Sequence, residues 1–118
     1  MSSTKLTPDQ IDSVSALLKN AQKPMGARFR ALFTLKNVGG KVAVDCIGHT
    51  LLNDTSALLK HECAYCLGQM RDEYAIDVLS QVLGDLSEHP MVRHEAGEAL
   101  GAIGNDKCLN ILEVSLLN

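Results

Sequence analysis

Two stretches 33 residues apart repeat one pattern, and nothing else in the chain constrains its fold as strongly. Leu58–Asp72 reads LLKHECAYCLGQMRD and Met91–Asn105 reads MVRHEAGEALGAIGN. In register, His61 falls on His94, Glu62 on Glu95, Leu67 on Leu100 and Gly68 on Gly101. A third copy runs upstream from Arg28 through Leu35 to Val38 and Gly39, at an offset of 32 from the Leu58 copy. It has Phe29-Arg30 where the other two have His-Glu. A period of 32–33 residues is the signature of a repeat array, whose units bury their apolar faces only by stacking on one another.

The local signals inside each period are helical. Thr7-Pro8-Asp9-Gln10 combines a cap, a proline at the first helical position and a glutamine that completes a capping box. Ile11, Val14, Leu17 and Leu18 follow at helical spacing. Pro24 opens a helix to about Asn37, Gly39-Gly40 breaks it, and its partner runs from about Lys41 to Leu52. The same scheme predicts helices over about Ala57–Met70, Tyr74–Leu83, Pro90–Gly104 and Lys107–Leu117. Aromatic residues make up 3% of the 118 residues and tryptophan is absent, which favours helices packed through aliphatic side chains over a β core. The expected fold is all-α: a single domain, residues 1–118, built as a solenoid of about three αα-hairpins. The repeats fall at about 24–53, 56–84 and 90–118, behind an N-terminal capping helix at about 8–20.

A net charge of −3 offers no basic footprint, so nucleic acid is not expected as a partner. The polar start Met1-Ser2-Ser3-Thr4-Lys5 lacks the apolar core of a secretory signal. No apolar run approaches the ~20 residues of a spanning helix, so no membrane partner is expected. Four cysteines without secreted-scaffold spacing fit a reducing, cytoplasmic setting. Cys63 and Cys66 form C-x-x-C inside a predicted helix, away from any βαβ pattern, and read with Cys46 and Cys108 as small packing residues. His49 and His89 have no repeated counterpart and read as surface or cap residues. Gly68, Gly101 and Gly104 mark either close helix approach and capping or a small-residue opening beside a site.

The duplicated pairs carry the chemistry. First helices of adjacent repeats pack roughly 8–10 Å apart, so His61 and His94 in matching register could reach one metal ion. Glu62 and Glu95 sit about 100° further round their helices and would flank such a site. Two imidazoles with a carboxylate suit iron and oxygen chemistry. Duplication of an inert pair is the competing explanation. Glu98, four residues after His94, could orient an imidazole or pair along the helix.

LLKHECAYCLGQM, PMVRHEAGEALGAIG, RFRALFTLKNVGG and the Thr7–Asn20 helix together resemble the N-terminal half of the deoxyhypusine hydroxylase family, over nearly the whole chain. That resemblance implies a HEAT-like solenoid and a di-iron centre. It implies hydroxylation, with dioxygen as co-substrate, of the deoxyhypusine side chain of a eukaryotic translation initiation factor. It further implies that His61 and His94 ligate one iron, that Glu62 reaches the iron held mainly by the opposite half, and that Glu95 acts catalytically beside the substrate amine. Met91 and Glu98 would lie near the substrate channel. The family carries four His-Glu pairs, two per half, and only two are present here. The site would then be closed by the missing C-terminal half or by a second copy of this chain in a homodimer, and the isolated half would be inactive alone. Two other readings compete: a HEAT-repeat protein-binding module without metal chemistry, and a single-zinc hydrolytic site with Glu62 or Glu95 as base.

Overall fold

The computed structural model describes residues 5–117. The Met1–Thr4 stretch read above as polar, and Asn118 of the last expected repeat, lie outside the described residues. Seven α-helices are found among the described residues: α1 (Pro8–Lys19), α2 (Met25–Val38), α3 (Gly40–Asn53), α4 (Ala57–Met70), α5 (Ile76–Gly84), α6 (Pro90–Ile103) and α7 (Asp106–Leu117). A 3-10 turn, Glu73–Ala75, precedes α5. The array is slab-like, with extents of 43 × 32 × 16 Å.

Helix ends follow the local chemistry. Thr7 accepts from the Gln10 N–H while the Gln10 side chain accepts from the Thr7 N–H, so the capping box at α1 is complete. Ser56 caps α4 by accepting from the Leu59 N–H. His89 caps α6, its Nδ1 accepting from the Met91 N–H at 3.1 Å. Between α2 and α3 the chain turns within Gly39 and Gly40, at φ of 71° and 84°, a region open to glycine at little steric cost. The predicted helix at Tyr74–Leu83 begins later as α5, because Asp72 accepts from the Tyr74 N–H and tightens the first turn into 3-10 geometry.

Hairpins α2–α3, α4–α5 and α6–α7 lie side by side, with α1 against α2 and α3. Their first helices contact in sequence, α2 on α4 and α4 on α6, and the α4–α6 contact is the most extensive in the molecule. Leu35, Leu67 and Leu100, equivalent in the three copies, are fully buried and form part of one continuous aliphatic core. Cys46, Cys63, Cys66 and Cys108 are free thiols within it. Burial pushes the Cys66 thiol up to about 11 and the Cys63 thiol well above its ordinary 9.0, so both stay protonated near neutrality and act as small apolar groups.

A column of cations also repeats. Arg28, Lys60 and Arg93 occupy the position before each Phe-Arg or His-Glu pair. Buried Arg28 donates from Nε to the Leu18 carbonyl at 2.9 Å and from Nη2 to Asp54. Arg93 donates from Nε and Nη2 to the Leu83 carbonyl at 3.1 and 2.9 Å. Lys60 pairs with Glu88, both largely shielded. Each cation ties the first turn of its helix to a neighbouring helix end or loop, which fixes the height at which the following residues stand.

Candidate functional site

The height of α4 against α6 is set by two of these ties: Lys60 to Glu88 in the loop before α6, and Arg93 to the end of α5. The lateral separation is set by Gly68, where a Cβ would stand 2.8 Å from the Ala99 Cα and 2.9 Å from its Cβ. No real side chain fits there, so the two helices pack backbone to backbone. With height and separation fixed, the imidazole of His61 crosses the seam.

His61 lies between two carboxylates. Its Nδ1 stands 3.0 Å from Glu62 Oε2 and its Nε2 stands 3.3 Å from Glu95 Oε2. A neutral imidazole donates to only one partner at a time. His61 and Glu62 are 28% exposed and Glu95 is 15% exposed, so the cluster sits in a shallow recess that solvent reaches. His94 is exposed, and its side chain makes no hydrogen bond or ion pair among the described residues. The structure therefore brings His61 onto Glu95 rather than onto His94. The reason is rotational: one residue is about 100° of helix, which turns Glu95 toward α4 and His94 outward.

Glu98 joins Glu95 in the lining of a surface cavity of about 390 Å³ along the α4–α6 seam, with Tyr65, Gly68, Gln69, Arg71, Ala99 and Ala102. Met91 is exposed one turn before Glu95 and lies outside that lining. Tyr65 occupies the repeat position of Glu98, and its hydroxyl accepts from Gln69 Nε2 at 2.9 Å. Reading the His-Glu pairs alone misses Tyr65, Gln69 and the cation column. The column was visible as Arg28, Lys60 and Arg93 in register, whereas the place of Tyr65 depends on which way the helices face.

The donor chemistry suits iron: imidazole and carboxylate side chains are gathered at one recess. The number of donors falls short, since among the described residues no group of three or more His, Cys, Asp or Glu converges to hold a metal ion. These donors by themselves do not close a metal site. No helix is long and apolar enough to cross a membrane among the described residues.

A family model of HEAT repeats matches residues 45–118. Deoxyhypusine hydroxylase of Drosophila pseudoobscura pseudoobscura is 55% identical over 108 residues, 92% of this chain and 35% of that protein. The Mus musculus deoxyhypusine hydroxylase is 56% identical over 108 residues, and the Homo sapiens protein 53%, with the same shares covered. The solved structure of human deoxyhypusine hydroxylase in complex with glycerol superposes with a TM-score of 0.80 at 46% identity, over 92% of this chain and 42% of that one. The chain spans about a third of the length of these curated relatives, at 35% of each.

Proposed function

The chain belongs to the HEAT-repeat family, and from that premise we propose that it supplies one half of a di-iron monooxygenase centre that hydroxylates the deoxyhypusine side chain of a translation initiation factor, completing hypusine in the cytoplasm. The observation that carries this reading is the 53–56% identity to deoxyhypusine hydroxylases over 92% of the chain, joined to the gathering of His61, Glu62 and Glu95 in one recess.

In this reading His61 and His94 offer ring nitrogens to one iron, and Glu62 offers its carboxylate toward the iron held mainly by the opposite half. Iron bound there would supply the activation of dioxygen. With His61 as a donor to the metal, the Glu95 carboxylate beside it would hold the substrate ammonium by a charge-assisted hydrogen bond. Glu62, now 3.0 Å from His61 Nδ1, fixes the rotation of the ring as an outer partner does for a ligating histidine. The core packed behind α4 and α6 shields the inner side of the recess.

The opposite donors come from the rest of a longer polypeptide or from a second copy of this chain in a two-fold arrangement. The test is iron content measured together with mass in solution, on protein purified with iron and without chelators. A dimer carrying two irons, both lost in the His61→Ala, His94→Ala double variant, is the expected result for a self-assembled centre. A metal-free monomer would mean that the isolated chain keeps the fold and donors but not the centre, and would sink self-assembly. A zinc-loaded, oxygen-independent hydrolytic protein would sink the oxygenase reading itself.

A further inference from the structure

We propose that the exposed face of α2 docks an acidic segment of a protein partner, held by Arg30 and Lys36 at its ends and by Phe29 and Phe33 between them. The inference goes beyond the di-iron reading and stands without it. It starts from the copy of the repeat that carries Phe29-Arg30 in place of His-Glu. Among the described residues, α2 is the one α-helix without a carboxylate, and it carries Arg28, Arg30 and Lys36 in a chain of net charge −3. Arg28 is turned inward and paired with Asp54. Arg30 is exposed and Lys36 is half-buried, and neither side chain meets a carboxylate among the described residues. Two cations without partners in an acidic chain are complementary to an anionic one.

The four residues share one face, since at about 100° per residue they fall within an arc of about 120°. Both phenylalanines of the chain lie there. Phe33 is 41% exposed and stacks on Phe29, with ring centroids 6.4 Å apart and planes 17° apart. Phe29 packs partly against the core, which holds the pair in place. The Arg30 guanidinium lies back over the first turn, its Nη1 3.8 Å from where a Cβ on Gly26 would stand. Lys36 occupies the repeat position of Gly68. Gly68 lets α4 and α6 touch backbone to backbone, whereas at Lys36 the α2–α4 contact is much less extensive. The order along the helix is therefore cation, two aromatics, cation, over about 15 Å from the level of Gly26 to Lys36. An extended chain rises about 3.3 Å per residue and turns residues i, i+2 and i+4 to one side. Carboxylates at i and i+4 then stand about 13 Å apart, within reach of both cations, with an apolar side chain at i+2 laid over the phenylalanines.

The test is NMR titration of the chain with a capped pentapeptide that has glutamate at its first and fifth positions, phenylalanine at its third and serine between. The control peptide has glutamine in place of both glutamates. Wild type is expected to bind the glutamate peptide about tenfold more tightly, the scale of two solvent-reached ion pairs. That preference should vanish at about 1 M salt, where the screening length falls to about 3 Å. Arg30→Gln and Lys36→Gln should each lose about threefold in affinity, and Phe33→Ala about fivefold. Lys107→Gln removes the same charge from α7 and should lose nothing; an equal loss there would reduce the effect to net charge and overturn the proposal. Equal affinity of wild type for the two peptides, or shifts that bypass α2, also overturns it. Tighter binding of a short oligonucleotide than of the glutamate peptide would assign the face to phosphate. A mass in sedimentation velocity that falls on Arg30→Gln, with neither peptide bound, would assign it to a second copy of the chain. Either result sinks the acidic-segment assignment. Arg30 and Phe33 are exposed, and amide spectra of each variant verify the fold.

Discussion

Arg28 is the residue with most to lose. It is 3% exposed, its partner Asp54 is 8% exposed, and it also satisfies the Leu18 carbonyl. Replacing it with methionine keeps the volume but leaves the shielded Asp54 carboxylate without its cation and the Leu18 carbonyl without the guanidinium donor. The expected cost is roughly 3–5 kcal/mol, read as a lower urea midpoint. Burial alone would raise the Asp54 carboxyl. The Arg28 hydrogen bond, the Ser56 N–H and the nearby charges of Arg28 and Lys60 outweigh it, so the group sits below its ordinary 3.8. A carboxyl lowered on folding contributes stability that is fully present above its unfolded value and is lost as pH falls through the lower folded value. Urea midpoints should therefore drop as the pH is taken below 3.8, and Arg28→Met should flatten that slope. A wild-type midpoint independent of pH there would remove the ion pair from the account.

Among elements, the α4–α6 seam is where packing and site geometry meet. Gly68→Ala puts a Cβ within 3.0 Å of Ala99 backbone and side chain, and the helices must separate. Overpacking of this kind costs typically 1–3 kcal/mol, about the lower bound for a rigid backbone contact. The same displacement draws His61 away from Glu95. A thermal scan of the variant should show a lower midpoint. Gly101 occupies the equivalent repeat position yet meets nothing within 4 Å. Gly101→Ala should stabilise α6 by about 0.5–1 kcal/mol through helix propensity. Equal responses of the two glycines would contradict the close approach. The pairing of repeats was legible in the residues that recur, such as Leu67 with Leu100. The difference between Gly68 and Gly101 was not, because Gly68 faces Ala99 of α6 while Gly101 faces open space among the described residues.

At the scale of the whole molecule, the most exposed large apolar side chains among the described residues lie on α7 and in the loop before α6. Leu116 and Leu117 are each 86% exposed, Leu86 82% and Val114 59%. Leu86 and Val114 line one cavity of about 620 Å³ with Leu83 and Ile111. Contiguous apolar surface of this kind drives association. Sedimentation velocity should show mass rising with concentration, and Leu86→Lys with Val114→Lys should suppress the rise. A strictly monomeric wild type over the micromolar range would remove that expectation.

The sequence by itself determined what depends on local spacing and recurrence. The 32–33-residue period established stacked hairpins, aliphatic positions at helical spacing marked the core, and Thr7, Pro90 and Gly39 marked helix ends. The duplicated His-Glu pairs pointed to the seam between α4 and α6, and the neighbours at 53–56% identity carry the name that the residue patterns resembled. Only the tertiary structure decided which members of the pairs face each other. Adjacent residues on a helix point about 100° apart, and the relative rotation and height of two helices are set by long-range ties, here Lys60 to Glu88, Arg93 to Leu83 and Gly68 to Ala99. Repeat register aligned His61 with His94, but those ties placed His61 against Glu95, left His94 exposed, and put Tyr65 in the lining of one cavity with Glu95 and Glu98.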